Sequence, residues 1–370
     1  MQQAFVLIER IVSQNNYQRR IALYRGMDQL DPSGNVIPAE ADTEMKLNKL
    51  WSFQSPITKA LTVTDITWNK VNPDIIAVSY GQVKGKKKLQ KDAAGLVCCW
   101  NLKNLEHPER VYHTNSSALS VSFSQISPNL LAVGLFNGVV LIYNVARKED
   151  LVAIDSYDSA GKHTGPVWNL EWVERERGSE ERGEVLISIS HDGRVIQWTI
   201  RKGFEYLDLM KIKRIANSKN AKNTAKNEHA RISAYSPTLS FDFHPSDGNT
   251  YLVGTEEGAI HRCSCSYNEQ TLGKTMDIFC IPHSYFSDVY KGHNEPVYCV
   301  KWHPTIDNVF ASCSEDWTIR IWAQKEVKHV IKLDNGTKPI RHIQWSKYSE
   351  NLLLSITDAA IDIWDLTASM

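Results

Sequence analysis

Two pairs of histidine and aspartate are the first places where this sequence could support catalysis. His163 accompanies Asp192, and His293 accompanies Asp316. A histidine beside a carboxylate can serve as a general base when both groups share a cleft. Each pair, however, occupies the same place in a repeated pattern described below. This repetition favours a structural role, as hydrogen bonds inside separate units, over a catalytic one.

A third group of potential ligands lies on one short segment, where His261, Cys263 and Cys265 alternate. Alternate residues of a β-strand face the same side of a sheet. Three donors in a row on one strand do not close a tetrahedral metal site unaided. No glycine-rich phosphate loop, nucleophile elbow or zincin motif occurs in the sequence. We therefore predict no metal, no cofactor and no enzymatic activity.

A pattern of six units must position these residues. Each unit has a short apolar strand with an aromatic mark, then a turn, then a second apolar strand with a second mark. The first marks are Trp68, Phe123, Trp172, Phe243, Trp302 and Trp345, and the second marks are Trp100, Tyr143, Trp198, Cys263, Trp322 and Trp364. Strands and turns repeating at such intervals, with no helical pattern between them, predict an all-β propeller.

The six predicted blades have unequal lengths. They span approximately 60–106, 113–150, 163–205, 236–270, 292–328 and 338–370. The two marks are 20 residues apart in three units and 19 in the last, but 32 in the first and 26 in the third, where charged insertions occur. In the second and fourth units the marks stay 20 residues apart, although Tyr143 and Cys263 replace the usual tryptophan.

Composition excludes several classes of protein. The 370 residues include 42 basic and 42 acidic side chains, so no overall field directs the chain to nucleic acid or to a membrane. There is no apolar run of about 18 residues, which a membrane span requires. The seven cysteines are odd in number and form no CxxC pair, which fits a reducing compartment such as the cytoplasm.

The first 47 residues lack the strand pattern of the remainder. Residues 3–25 have helical spacing of apolar side chains, and 26–47 read as a polar linker, so we predict a helix and linker at 1–47 and a propeller at 48–370. The helix either packs back on the edge of the propeller or docks a partner. Asn48–Phe53 alternates as a half-buried strand does, and Trp51–Phe53 could supply a closing strand.

Two basic insertions interrupt the units. Residues 84–91 lie inside the first unit, and residues 211–231 lie between the third and fourth. We interpret both as solvated loops, because they are polar and poor in apolar residues. The alternative is contact with an acidic partner, such as a tubulin tail.

The fifth unit resembles a WD40 repeat closely, from Gly292-His293 to Ile319-Arg320-Ile321-Trp322. The resemblance implies a hydrogen-bonded set of His, Ser, Asp and Trp in each complete blade. The two complete sets are His293, Ser312, Asp316 and Trp322, and His163, Ser188, Asp192 and Trp198. The sixth unit keeps Asp358 and Trp364 but lacks the Gly-His pair. A buried indole N–H needs an acceptor, and a buried carboxylate needs donors.

Longer phrases resemble the axonemal dynein intermediate chains, especially the inner-arm type. They include Ile8–Asn15, Val63–Asn69, Asp74–Gly81, Pro128–Gly134 and His163–Trp168. The resemblance implies a non-catalytic subunit of the cilium or flagellum axoneme. Its propeller would bind the tail of a dynein heavy chain, beside a second intermediate chain, and an N-terminal extension would carry light chains.

The chain departs from this family in length. Only about 50 residues precede the predicted propeller, and the chain stops at Met370, so we expect a short isoform or partial chain. An incomplete seven-bladed ring is the expected form, and closure with six blades is the alternative. A generic WD40 adaptor remains the second functional hypothesis, since fold does not imply function. Trp168 and Trp317, which the repeat does not require, are the candidate partner contacts.

Overall fold

A computed structural model describes residues 2–27, 48–81, 94–147, 149–177, 181–200, 203–214, 235–265, 288–336 and 338–367. One helix, α1 (Gln2–Tyr24), precedes a series of antiparallel strands. No helix in this described part combines the length and apolar character that crossing a membrane requires. The basic insertion at 84–91, nearly all of the insertion at 211–231, and most of the predicted linker lie outside the described residues.

The strands of the described residues form six sheets. The first two have the orders β1-β2-β3-β4 and β5-β6-β7-β8. Their strands are β1 (Thr62–Trp68), β2 (Ile75–Gly81), β3 (Gly95–Asn101), β4 (Arg110–Thr114), β5 (Ala118–Phe123), β6 (Leu130–Leu135), β7 (Val140–Asn144) and β8 (Val152–Asp155).

The third and fourth sheets repeat this order with consecutive strands. They contain β9 (Val167–Arg177), β10 (Glu181–Ser190), β11 (Arg194–Thr199), β12 (Glu205–Lys211), β13 (Thr238–Phe243), β14 (Thr250–Thr255), β15 (Ala259–Ser264) and β16 (Asp288–Lys291).

The last two sheets differ in strand number within the described residues. The fifth has four strands, and the sixth has three. They contain β17 (Val297–Trp302), β18 (Val309–Ser314), β19 (Thr318–Ala323), β20 (Ile331–Asp334), β21 (Ile340–Trp345), β22 (Leu352–Thr357) and β23 (Ile361–Asp365). Six sheets of consecutive antiparallel strands are the blades of an all-β WD40 propeller.

The two marks of each unit lie on its first and third strands. Phe310 on β18 is paired with Trp302 on one side and with Trp322 on the other. A third strand without a mark of its own therefore lies between the two marked strands. The intervening strand is apolar and buried along most of its length, so it has no distinctive mark of its own.

The chain divides into two compact units, residues 1–131 with 144–151, and residues 132–143 with 152–370. In the second unit, the first strands of successive sheets pack beside one another. One core cluster joins residues of the third and fourth sheets, including Val185, Leu209 and Phe241. Another joins the fourth and fifth sheets around Trp302 and Trp322. The third, fourth and fifth sheets thus share core residues with their neighbours.

In the first unit, α1 ends in a glycine cap. Gly26 has a φ of +65°, and Met27 N donates to Ala22 O at 2.9 Å. This six-to-one hydrogen bond after a left-handed residue is the Schellman arrangement, which stops the helix. The predicted helix at 3–25 therefore differs from the observed one by a single residue at each end.

The strand predicted at Asn48–Phe53 is not present, because residues 48–55 have no regular secondary structure. Trp51 packs edge-on against Tyr24 of α1, with ring centroids 5.3 Å apart, and Phe53 packs on Trp100. The alternating pattern arises from these contacts with the helix and the first sheet. Closure of the ring by Trp51–Phe53 as a strand is thereby excluded.

Candidate functional site

The structure brings the four predicted residues of the fifth blade together. Nδ1 of His293 lies 2.9 Å from Oδ2 of Asp316, and its Nε2 lies 2.8 Å from Oγ of Ser312. The indole Nε1 of Trp322 donates to the same Oγ at 2.9 Å. A consistent direction follows: indole N–H to serine oxygen, serine O–H to Nε2, and Nδ1–H to the carboxylate.

The third blade has the same arrangement. Nε2 of His163 lies 2.8 Å from Oγ of Ser188, and its Nδ1 lies 3.1 Å from Oδ2 of Asp192. Trp198 Nε1 donates to Oγ of Ser188 at 2.8 Å. The two sets are therefore equivalent in geometry, although they belong to different blades.

Electrostatics keep both carboxylates ionised. Burial alone would raise the pKa of Asp316, but hydrogen bonds from His293 and Thr318 hold it well below its usual range. Burial likewise opposes ionisation of Asp192, and its hydrogen bonds lower the pKa. Burial lowers the pKa of His293, which therefore stays neutral at physiological pH. A neutral imidazole between a serine and a carboxylate completes the chain of donors.

These sets are closed to substrates. Ser188, Ser312 and the two histidine side chains are almost completely buried. Each serine oxygen lies between an indole and an imidazole, which use its accepting and donating capacity. The arrangement fixes the turn after the second strand to the start of the blade. Its chemistry is scaffold hydrogen bonding.

Two incomplete blades satisfy their tryptophans differently. Trp364 Nε1 donates to Oγ of Ser355 at 3.0 Å, while Asp358 is exposed and pairs with Arg341. Trp100 Nε1 donates to the hydroxyl of Tyr80 at 3.3 Å. Sequence analysis missed Ser355 and Tyr80. Their only signal is a hydroxyl residue on the strand beside the tryptophan.

The segment with His261, Cys263 and Cys265 carries no metal site in the described part of the chain. No group of three or more His, Cys, Asp or Glu side chains there could hold an ion. Cys263 and Cys265 belong to a core cluster. Burial raises the pKa of Cys263 to about 12, so its thiol stays protonated. Burial lowers the pKa of His261 to about 4.

The two candidate contact residues have different surroundings. Trp168, on β9, is half-buried, and its indole N–H is buried without an acceptor among the described residues. Trp317 lies in the turn between β18 and β19 and is 46% exposed. Of the two, only Trp317 presents a large accessible side chain.

Helix α1 contacts the first sheet through polar residues. Arg10 pairs with Glu109, Arg25 Nη2 lies 2.8 Å from Oδ1 of Asp74, and the buried Ser13 accepts from the backbone N–H of Leu105. The apolar side chains in its first half are exposed instead, with Phe5 at 65%, Ile8 at 56% and Val12 at 52%. The helix thus packs back on the first sheet, yet these apolar side chains remain exposed.

Comparisons with known proteins agree with this architecture. The WD domain, G-beta repeat family matches residues 284–323. The crystal structure of the Cps50 (Swd1) β-propeller domain from Myceliophteria thermophila aligns with a TM-score of 0.53, covering 82% of this chain and 83% of that chain. At 14% identity, this likeness shows the fold alone.

The relatives with higher identity are axonemal dynein intermediate chains. Dynein axonemal intermediate chain 4 of Xenopus laevis is 41% identical over all of this chain and 48% of its own length. The human protein of the same name is 39% identical over 99% of this chain and 45% of its own length. Dynein axonemal intermediate chain 1 of Rattus norvegicus is 31% identical over 86% of this chain. The chain spans about half the length of these relatives, and it is similar to axonemal dynein intermediate chains throughout that part.

Proposed function

We propose that this chain is a non-catalytic intermediate-chain subunit of an axonemal dynein of the inner-arm type. The observation that carries the proposal is similarity over the whole chain to dynein axonemal intermediate chain 4, at 41% identity for the Xenopus laevis protein. The site geometry supports it, because the residues that could act in catalysis are used for hydrogen bonds inside the blades.

The proposed partners are the tail of a dynein heavy chain and a second intermediate chain. The propeller would supply turns on a rigid β scaffold, where recognition residues usually lie. Trp317 is the proposed contact residue, and Trp168 is a weaker one because its indole is half-buried. The proposed location is the axoneme of a cilium or flagellum, with assembly in the cytoplasm.

Light chains are a further proposed partner, through α1. The helix is held to the first sheet by Arg10, Ser13 and Arg25, so its position does not depend on the exposed apolar side chains near its start. Phe5, Ile8 and Val12 lie at helical spacing and are all exposed. An amphipathic helix with free apolar residues is a common docking element for a hydrophobic groove.

Affinity purification from ciliated cells tests the proposal. The full chain, tagged and expressed at its native level, should co-purify with an axonemal dynein heavy chain. A matched bait, an unrelated WD40 protein with the same tag, should not. Recovery of a ubiquitin-ligase or transport complex without any dynein subunit would contradict the proposal and favour the general adaptor.

A further inference from the structure

Two cysteines lie opposite each other on neighbouring strands of the fifth sheet. Cys299, on β17, is the register partner of Cys313, on β18. Directly opposite side chains of an antiparallel pair lie on the same face, with their Cα atoms about 4.5 to 5.5 Å apart. A disulfide usually joins Cα atoms that are about 4.4 to 6.8 Å apart. The register therefore places these two thiols where a bond between them suits the backbone.

The other described cysteines lack this relationship. The free, buried cysteines of the described residues are Cys98, Cys99, Cys263, Cys265, Cys299 and Cys313. Cys98 and Cys99 are adjacent on β3, so their side chains point to opposite faces. Cys263 and Cys265 follow one another along a single extended segment. Among the described strand pairs, no other cysteine has a cysteine as its register partner.

The two thiols contact each other and a carbonyl of the next sheet. Sγ of Cys299 donates to the carbonyl oxygen of Ile343, on β21, at 3.7 Å. A hydrogen bond with the Cys313 thiol, together with the nearby His342, holds the pKa of Cys299 well below its usual range although burial opposes this. Burial raises the pKa of Cys313 well above its usual range. Because the thiolate is the reactive form of cysteine, Cys299 is the more nucleophilic of the two.

Both sulfur atoms lie inside the protein, so a reagent must be small to reach them. Cys299 is 4% exposed, and Cys313 is fully buried. His342, beside Cys299, is exposed, so the Cys299 end of the pair is the end closer to solvent. Hydrogen peroxide is a small neutral molecule, which can enter where a bulky alkylating reagent cannot.

We propose that Cys299 and Cys313 form a reversible disulfide when the folded chain is exposed to hydrogen peroxide. The Cys299 thiolate attacks one peroxide oxygen, the O–O bond breaks, and sulfenic acid forms on Cys299 while the other oxygen leaves as water after taking up a proton. The Cys313 sulfur then attacks the Cys299 sulfur, the S–O bond breaks, and a second water leaves with the proton of Cys313. Two thiols are thus oxidised, and one peroxide is reduced to two waters.

The bond would connect the first two strands of the fifth sheet. It closes a loop between residues that are 14 positions apart in the sequence. A cross-link of this kind restricts the unfolded chain, so the oxidised protein should melt at a temperature at least as high as that of the reduced protein. A dithiol such as dithiothreitol should restore both thiols by exchange.

Peptide mapping of the full, folded chain tests the proposal. The chain is treated with hydrogen peroxide, its remaining thiols are alkylated in denaturant, and its peptides are identified by mass spectrometry without reductant. The cross-linked peptide of Cys299 and Cys313 should be the most abundant disulfide and should disappear with dithiothreitol. Recovery of both residues as alkylated thiols, or a lower melting temperature of the cross-linked chain, would overturn the inference.

Three variants test the roles of the two cysteines. Cys313→Ala removes the second thiol, so the reaction should stop at sulfenic acid on Cys299, which dimedone traps. Cys299→Ala should leave Cys313 as a thiol. Cys263→Ala is the matched control, because Cys263 is also buried on a strand but faces Tyr251 in the register, and it should leave the disulfide yield unchanged.

The wild-type map decides the inference if a variant does not fold, which circular dichroism shows. Sulfenic acid on Cys313 in Cys299→Ala would overturn the assignment of Cys299 as the nucleophile. A disulfide yield that falls in Cys263→Ala as much as in Cys299→Ala would overturn the pairing. The inference is independent of the proposed function, because none of these measurements uses a dynein subunit.

Discussion

Lys301 and Asp242 form an ion pair between two neighbouring blades. Nζ of Lys301, on β17, lies 2.6 Å from Oδ1 of Asp242, on β13, and Oδ2 of Asp242 accepts from the backbone N–H of Trp302 at 2.8 Å. Both side chains are mostly buried, and the charge of Asp242 raises the pKa of Lys301 although burial opposes this. The pair connects β17, the first strand of the fifth sheet, to β13, the first strand of the fourth sheet.

Removing one charge of this pair should destabilise the protein. Asp242→Asn keeps an oxygen that can accept from Trp302 but leaves the ammonium of Lys301 without its counter-charge. We expect a loss of about 2 kcal/mol in the free energy of unfolding, less than for a fully buried pair because both groups retain some solvent contact. Urea unfolding measures this loss. The double variant Asp242→Leu and Lys301→Met should be more stable than either of its single variants, and a greater loss in the double variant would contradict this account.

Loss of the serine from a complete hydrogen-bonded set should lower the free energy of unfolding more than loss of the serine from an incomplete set. Ser312→Ala leaves the buried Trp322 indole and His293 Nε2 without partners, so we expect a loss of about 2 to 3 kcal/mol. Ser355→Ala, the matched control, affects only the indole of the half-buried Trp364 and should cost about 1 kcal/mol. Thermal or urea unfolding of both variants provides the comparison. Equal losses would mean that the histidine adds nothing to the set.

Stability should fall on mild acidification because of His261. The pKa of His261 is about 4 in the folded protein, below the ordinary value of about 6.5, so the unfolded chain binds a proton more readily. The stabilisation is complete above about pH 6.5 and is lost as the pH falls towards 4, by at most about 1.4 kcal/mol per pH unit.

The variant His261→Leu isolates this contribution. The imidazole Nε2 has no hydrogen-bond partner among the described residues, so an apolar replacement does not break a bond there. The free energy of unfolding at pH 7, 6 and 5 should decline less in the variant than in the wild type. The lowered pKa of His293 contributes equally to both proteins. Parallel declines would show that His261 is not the responsible group.

The exposed stripe of α1 distinguishes the two roles considered for the helix. Phe5→Ser with Ile8→Ser should leave the melting temperature unchanged, because both side chains are exposed. The same variant should lose co-purifying light chains if the helix docks them. A lowered melting temperature would instead indicate that these residues pack on the propeller.

Much of the fold was predictable because aromatic residues recur where blades pack. The marks Trp302 and Trp322 identified the fifth blade and implied the hydrogen bonds around Ser312. The middle strand at Phe310 has no mark in the repeat, because a strand buried on both faces has no alternation. Closure of the ring and the number of its blades stay predictions.

Other features depend on contacts that a sequence does not display. The alternation at 48–53 was misread because Trp51 packs on Tyr24, which lies on a helix 27 residues earlier in the sequence. The indole acceptors Ser355 and Tyr80 were missed because any nearby hydroxyl can replace the usual serine. The left-handed φ of Trp317 occurs in a turn where three other sheets have glycine, Gly138, Gly193 and Gly258, so the residue type of Trp317 does not indicate it.

The central claim is that this chain is a stoichiometric subunit of an axonemal dynein. The most direct measurement is quantitative mass spectrometry of dynein extracted from axonemes and separated through successive columns. The account predicts that this chain and one heavy chain keep a constant ratio through every fraction. Separation of the chain from all dynein heavy chains, while the other subunits remain together, would contradict it.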